Sequence, residues 1–132
     1  MKIGIHAFSA DSHTQAGVQR ARQVEAEAVC LMTTAIPGSA EKGAPDVDAL
    51  REAVGRYRDA GIDVPAGYAG RWSNELMLGD PAREEEFERL RATLEAMAAA
   101  GIEGVLFYTT PARPKNTGVT LSGTSTKSGI II

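Results

Sequence analysis

The chain has 132 residues, 43% of them hydrophobic and 23% charged, with 14 Lys and Arg against 17 Asp and Glu for a net charge of −3. That length allows one domain with a real core, and the acidic balance leaves no basic surface of the kind that binds nucleic acid or an anionic membrane. No apolar run approaches the ~20 residues of a membrane span, no signal peptide precedes the first apolar residues, and a lone cysteine, Cys30, cannot pair within the chain; the expected compartment is the reducing cytoplasm.

Ile3-Gly4-Ile5 reads as a first strand with His6 at its end, followed by a polar loop through Ser9, Asp11, Ser12 and His13. A helix is expected from about Thr14 to Val24, with Val18, Ala21 and Val24 as its inner stripe, and then a second strand from Ala28 to Met32. Thr33 to Pro45, rich in Gly, Pro and small residues, is a long loop. Asp46 caps a second helix running to about Ala60, on which Val47, Leu50, Val54 and Tyr57 recur at the spacing of one helical face. Ile62 to Pro65 is a short third strand marked by its proline, and Ala66 to Gly79 is a loop carrying Tyr68, Arg71 and the only tryptophan, Trp72.

Asp80-Pro81 is a helix start, since the Asp side chain accepts a hydrogen bond from a free amide and Pro at the first position gives up no needed donor. Glu84, Glu85 and Glu86 then lie near the positive end of the helix dipole, as a solvated first turn. Phe87, Leu90, Leu94 and Met97 form the apolar stripe, Gly101 ends the helix, and Val105 to Tyr108 is an apolar strand expected to be buried on both faces.

Ala60-Gly61-Ile62-Asp63 and Ala100-Gly101-Ile102-Glu103 match, forty residues apart, so a unit of helix, stop and strand repeats. If Glu27 aligns with Asp63 and Glu103, Glu25 stands where the other copies have glycine. Either the first helix ends differently, or Glu25 is forced into a left-handed conformation at a cost of about 1 kcal/mol. About four strands alternating with three helices predict an α/β fold with a parallel sheet and right-handed crossovers. Such units suit a small open sheet or half of a (β/α)8 TIM barrel, which has ~250 residues.

The stretch 115–132 breaks the pattern: it has seven Ser or Thr, three Gly and no acid, and no helical stripe continues the repeat. It reads as an irregular tail, frame-shifted or appended, beside a folded unit at 1–114.

The start MKIGIHAF, the segment RWSNELMLGDPAREEEFERLRATLEAMAAAGI and the strand ending VLFYTTP resemble the N-terminal half of xylose isomerase-like TIM barrels, with mannonate dehydratases the nearest in character. The resemblance implies a divalent-metal enzyme, using Mn or Mg, that isomerises, epimerises or dehydrates a sugar or sugar acid, with its chemistry at the C-terminal ends of the strands. It also implies that the metal ligands come from later strands, so that this chain, as a truncated half, lacks metal site and activity. The substrate-facing candidates are His6, Thr34, Arg71, Tyr108 and Thr110. Hydroxyls of Thr34 and Thr110 suit a polyol, Arg71 suits a carboxylate clamp, and Tyr68, Trp72 and Tyr108 are candidate walls. Each has a plain alternative: a hydrogen-bonded structural histidine, threonines that form turns, a solvated arginine, an aromatic that pins its loop.

No residue is expected to be catalytic. Cys30 lies in an apolar strand without a histidine partner and reads as a small hydrophobe, and the Gly-containing loops lack the spacing of a phosphate loop. The second reading is a genuine short half barrel that self-associates through its strand edges and binds a small polar ligand at the shared mouth.

Overall fold

A computed structural model of the chain describes residues 2–109. Four strands, β1 (Gly4–Ala7), β2 (Ala28–Met32), β3 (Asp63–Trp72) and β4 (Gly104–Thr109), form one parallel sheet in the order β1-β2-β3-β4. The connections hold helices α1 (Gln15–Gln23), α2 (Ser39–Lys42), α3 (Val47–Asp59), α4 (Asn74–Met77) and α5 (Glu84–Ala99), of which α2 and α4 are single turns. This is the expected alternation of strands and helices around parallel strands. Each strand is added beside its predecessor and the order never reverses, whereas a doubly wound sheet must reverse at a switch point.

One face of the sheet carries the core. Val29, Leu31, Val64 and Ala69 meet Val18 and Ala21 of α1, Leu50, Val54 and Tyr57 of α3, and Ala96 and Met97 of α5 in a single cluster. Helix α3 packs between α1 and α5, so the three long helices lie side by side on that face. The helix starts are those expected. Thr14 accepts from the Ala16 amide at 3.2 Å, Asp46 accepts from the Asp48 and Ala49 amides at 3.1 Å, and Asp80 accepts from the Ala82 amide at 2.9 Å. Asp80 caps a 3₁₀ turn, Pro81–Arg83, that leads into α5.

All three long helices end in the same way. The amides of Ala26, Ile62 and Ile102 donate to the carbonyls five residues back, Ala21, Tyr57 and Met97, at 2.9 to 3.0 Å. The residue before each has positive φ: Gly61 at 76°, Gly101 at 77° and Glu25 at 54°. The repeat is thus exact in hydrogen bonding where it is broken in sequence, and Glu25 carries the left-handed strain that its alignment with the glycines implies.

The structure corrects several boundaries and faces. His6 stands near the end of β1, which runs one residue further, to Ala7. Strand β3 does not stop at Pro65 but runs to Trp72, which makes Tyr68 and Arg71 strand residues. It survives the proline because its pairing with β2 steps from Ala28↔Asp63 to Cys30↔Ala66, leaving an extra residue on β3 where Pro65 offers no donor. A second extra residue follows at Ala69, between Tyr68↔Leu106 and Gly70↔Phe107, where Gly70 has φ 107°. The Thr33–Pro45 loop contains a 3₁₀ turn and α2.

On α5 only Met97 of the expected stripe is fully buried. Phe87 and Leu94 are 48% and 38% exposed, and Thr93, Ala96, Met97 and Ala100 face inward. Small residues let the helix sit close to the sheet, near enough that a Cβ on Gly67 would meet Met97 Cε at 2.9 Å. Val24 ends up exposed as the residue that terminates α1. Val105 is also exposed, because β4 is an edge strand among the described residues and no helix among them covers its outer half. The boundary at 114 and the segment 115–132 lie outside the described residues. Among those described, no helix is long and apolar enough to cross a membrane.

Candidate functional site

The face opposite the helices is assembled by strand register. His6 of β1 pairs with Cys30 of β2, Cys30 with Ala66 of β3, and Ala66 with Gly104 of β4, in one row across the sheet; Met32, Tyr68 and Leu106 form the next. Side chains that share a row in a parallel sheet share a face. Beyond them an aromatic group gathers at the C-terminal ends of the strands, where parallel α/β folds bind their ligands. The His6 ring stacks on Phe8 at 4.0 Å with an interplanar angle of 8°. Tyr68 meets Phe8 edge-on at 5.9 Å and lies 5.5 Å from Tyr108. Phe8 is 52% exposed, and His6, Tyr68 and Tyr108 are half-buried.

The second irregularity of β3 recruits Arg71 to this group. In unbroken alternation Arg71, three residues on, would fall on the opposite face from Tyr68; because one residue between them is left unpaired, Arg71 pairs with Tyr108 and both share the face of Tyr68 and Leu106. Burial pushes the Tyr68 phenol up, and the nearby Arg71 charge pulls against it. Burial lowers the His6 imidazole below its ordinary value, so the ring is neutral at pH 7, and its buried Nδ1 has no hydrogen-bond partner among the described residues. Burial pushes the Cys30 thiol up to about 11, which makes it a poor nucleophile.

A groove of about 290 Å³ opens on the other side of β3, between the β2–α3 connection and the first half of α5. Thr34, Ser39, Trp72, Glu86, Arg89 and Thr93 line it, and Arg71 borders it. The groove is built by side chains already committed elsewhere. Thr33 donates to the Tyr68 carbonyl at 2.7 Å, Ser39 donates to the Thr33 carbonyl at 2.8 Å, and the Trp72 indole donates to the Ala69 carbonyl at 3.1 Å. Glu86 accepts from the Ser73 amide and hydroxyl, both at 2.7 Å. Burial works against its charge, but the Ser73 hydrogen bonds and the Arg83 and Arg89 charges outweigh this and hold its pKa below the usual value.

The expected site residues therefore divide. His6 and Tyr108 join the aromatic face, Thr34 lines the groove, and Arg71 touches both; Thr110 lies outside the described residues. Glu86 is not a solvated residue of a helix start, being drawn inward by Ser73 with a side chain only 15% exposed. Arg89 and Thr93 were not singled out by sequence. Their signal is a polar stripe at i, i+3 and i+7, Glu86-Arg89-Thr93, on a helix otherwise read for its apolar residues.

Among the described residues no group of three or more His, Cys, Asp or Glu side chains could hold a metal. The row partners His6 and Cys30 offer one neutral nitrogen and one protonated thiol, whereas Mg or Mn takes mainly oxygen ligands. These residues do not fit such an ion as a site of their own. No protein-family model, curated protein or solved structure matches the chain.

Proposed function

We propose that this chain is the N-terminal half of a xylose isomerase-like barrel, which presents a sugar or sugar acid on the face opposite its helices. One observation carries the reading: a parallel sheet that grows in a single direction, with its long helices on one face and a His, Tyr and Arg cluster at the C-terminal ends of the other. In this role the neutral His6 ring and the Tyr108 hydroxyl exchange hydrogen bonds with ligand hydroxyls. Phe8 and Tyr68 cover an apolar sugar face, and Arg71 pairs with a carboxylate where the ligand has one. No bond-breaking step is assigned to residues 2–109; a divalent metal and its ligands belong, in this reading, to the parent barrel's later strands. The test is a titration of the full chain with D-xylose followed by NMR of the His6 ring. A saturable shift, weakened in Tyr108→Phe, is expected; a His6 resonance indifferent to sugar sinks the reading.

A second reading is supported by the two outer edges. Among the described residues β1 and β4 each pair on one side only. Two copies related by a two-fold axis would set β4 of one beside β1 of the other, in parallel, and complete an eight-stranded ring over the bare face. Sedimentation decides: a sharp dimer is expected, and a monomer at all concentrations removes the idea.

A further inference from the structure

The groove on the helix side of β3 takes no part in that function, and it has a definite charge and hydrogen-bonding character. We propose that it binds a small hydroxylated monocarboxylate, held by Arg89. Among the described residues Arg89 has no ion-pair partner within 4.0 Å, which leaves its guanidinium open to a ligand. Glu86 is held by Ser73 at both oxygens and pairs with Arg83 at 4.0 Å, so that charge is already balanced and Arg89 is left as the uncompensated charge of the helix side of the groove. A single carboxylate compensates it, and the planar fork of an arginine matches a carboxylate with two parallel bonds.

The hydroxyls select the rest of the ligand. Ser39 and Thr93 have spent their protons on the carbonyls of Thr33 and Arg89, at 2.8 and 2.9 Å, so toward the groove they only accept. A bare anion has nothing to donate to them; a hydroxy acid does. The volume, about 290 Å³, falls at the small end of the ~300–1,000 Å³ usual for ligand pockets, which suits a compact hydroxy acid. Arg89 is also positioned in advance: Gly43, at φ 73°, lies against its aliphatic stem, where any side chain would collide with Arg89 Cδ. The site shares only Arg71 with the aromatic face and does not depend on the chain being half of a barrel.

Trp72 lines the groove and is the only tryptophan in the chain, so its emission reports on occupancy. The full chain is titrated with gluconate, with sorbitol as the neutral counterpart and with inorganic phosphate, all at fixed ionic strength. The expected result is a saturable change with gluconate, at least tenfold tighter than with phosphate and absent with sorbitol. Arg89→Gln should weaken gluconate at least tenfold. Ala40→Glu, which adds a negative charge at an exposed lining position and removes no packing, should do the same, and it decides the matter if the Gln variant does not fold. A response shared equally by gluconate and sorbitol, or gluconate binding untouched by Ala40→Glu, overturns the proposal. Failure of the sugar-binding face is seen separately, in the His6 resonances.

Discussion

The two faces of the sheet are made by the same strands, residue by residue in alternation, yet they meet different fates. Leu31 is 0% exposed against α3 and its neighbours, while the next residue, Met32, looks out on the opposite face and stays half-buried. The helix face is finished: its side chains interlock, and the Tyr57 hydroxyl is buried with a partner, donating to the Ser12 carbonyl at 2.6 Å. The opposite face mixes Cys30, Met32, Ala66 and Leu106 with His6, Tyr68, Arg71 and Tyr108, and it has no second layer among the described residues. A core is separated from a binding surface here by a partner layer on one face and by polar groups set among apolar ones on the other.

The sharpest way to break this comparison is to truncate adjacent residues. Leu31→Ala is expected to cost ~2–5 kcal/mol by urea denaturation, the range for a buried leucine, and Met32→Ala less than ~1.5 kcal/mol. Equal losses would mean that the bare face is covered in solution. Next in size, Tyr57→Phe leaves the buried Ser12 carbonyl without its donor and should cost ~1–3 kcal/mol at unchanged m-value. Glu25→Gly is expected to raise stability by ~1 kcal/mol, because it relieves the left-handed strain that the two sister copies avoid; no gain would mean that the Glu25 side chain offsets the strain.

Two smaller effects probe the bare face by pH. His6 has a lowered pKa in the fold, so below about 6.5 the unfolded chain takes up a proton that the folded ring refuses. Stability should therefore be fully present above that pH and decline as pH falls toward the folded pKa, and His6→Gln should flatten the decline. Alkylation of Cys30 should be slow at pH 8 and accelerate toward a midpoint of about 11. A fast reaction at pH 8 would show that the thiol is not shielded by its row.

Much of the fold was legible because its signals are local. Asp46 and the period of Leu50, Val54 and Tyr57 fix α3, and the glycine stops, extended by alignment to Glu25, fix where each helix turns back. The failures have physical causes. A bulge leaves no periodicity to read, so Pro65 passed for the end of a strand that runs seven residues further. On α5 the large apolar residues were the visible stripe, yet contact with the sheet is made by Thr93, Ala96 and Ala100, whose small size permits the approach. The groove draws on three separate elements and a helix stripe that is polar, so no single window of sequence contains it. His6 and Tyr108 stand at strand ends, where sequence alone can single them out, whereas the placement of Glu86 and Arg89 along the groove needed the tertiary arrangement.

The paired irregularities of β3 impose a constraint of parity. Each extra residue exchanges the faces of everything downstream, so two of them restore the original alternation by the end of the strand. Deleting one residue at Pro65 or Ala69 would remove the irregularity itself, leave the pairing beyond it unchanged, and keep Trp72 on the helix face and Arg71 on the bare face. Elsewhere in the strand a single deletion turns every downstream side chain to the wrong face, so a deletion scan along β3 should find single losses tolerated at the two irregularities and rejected between and beyond them.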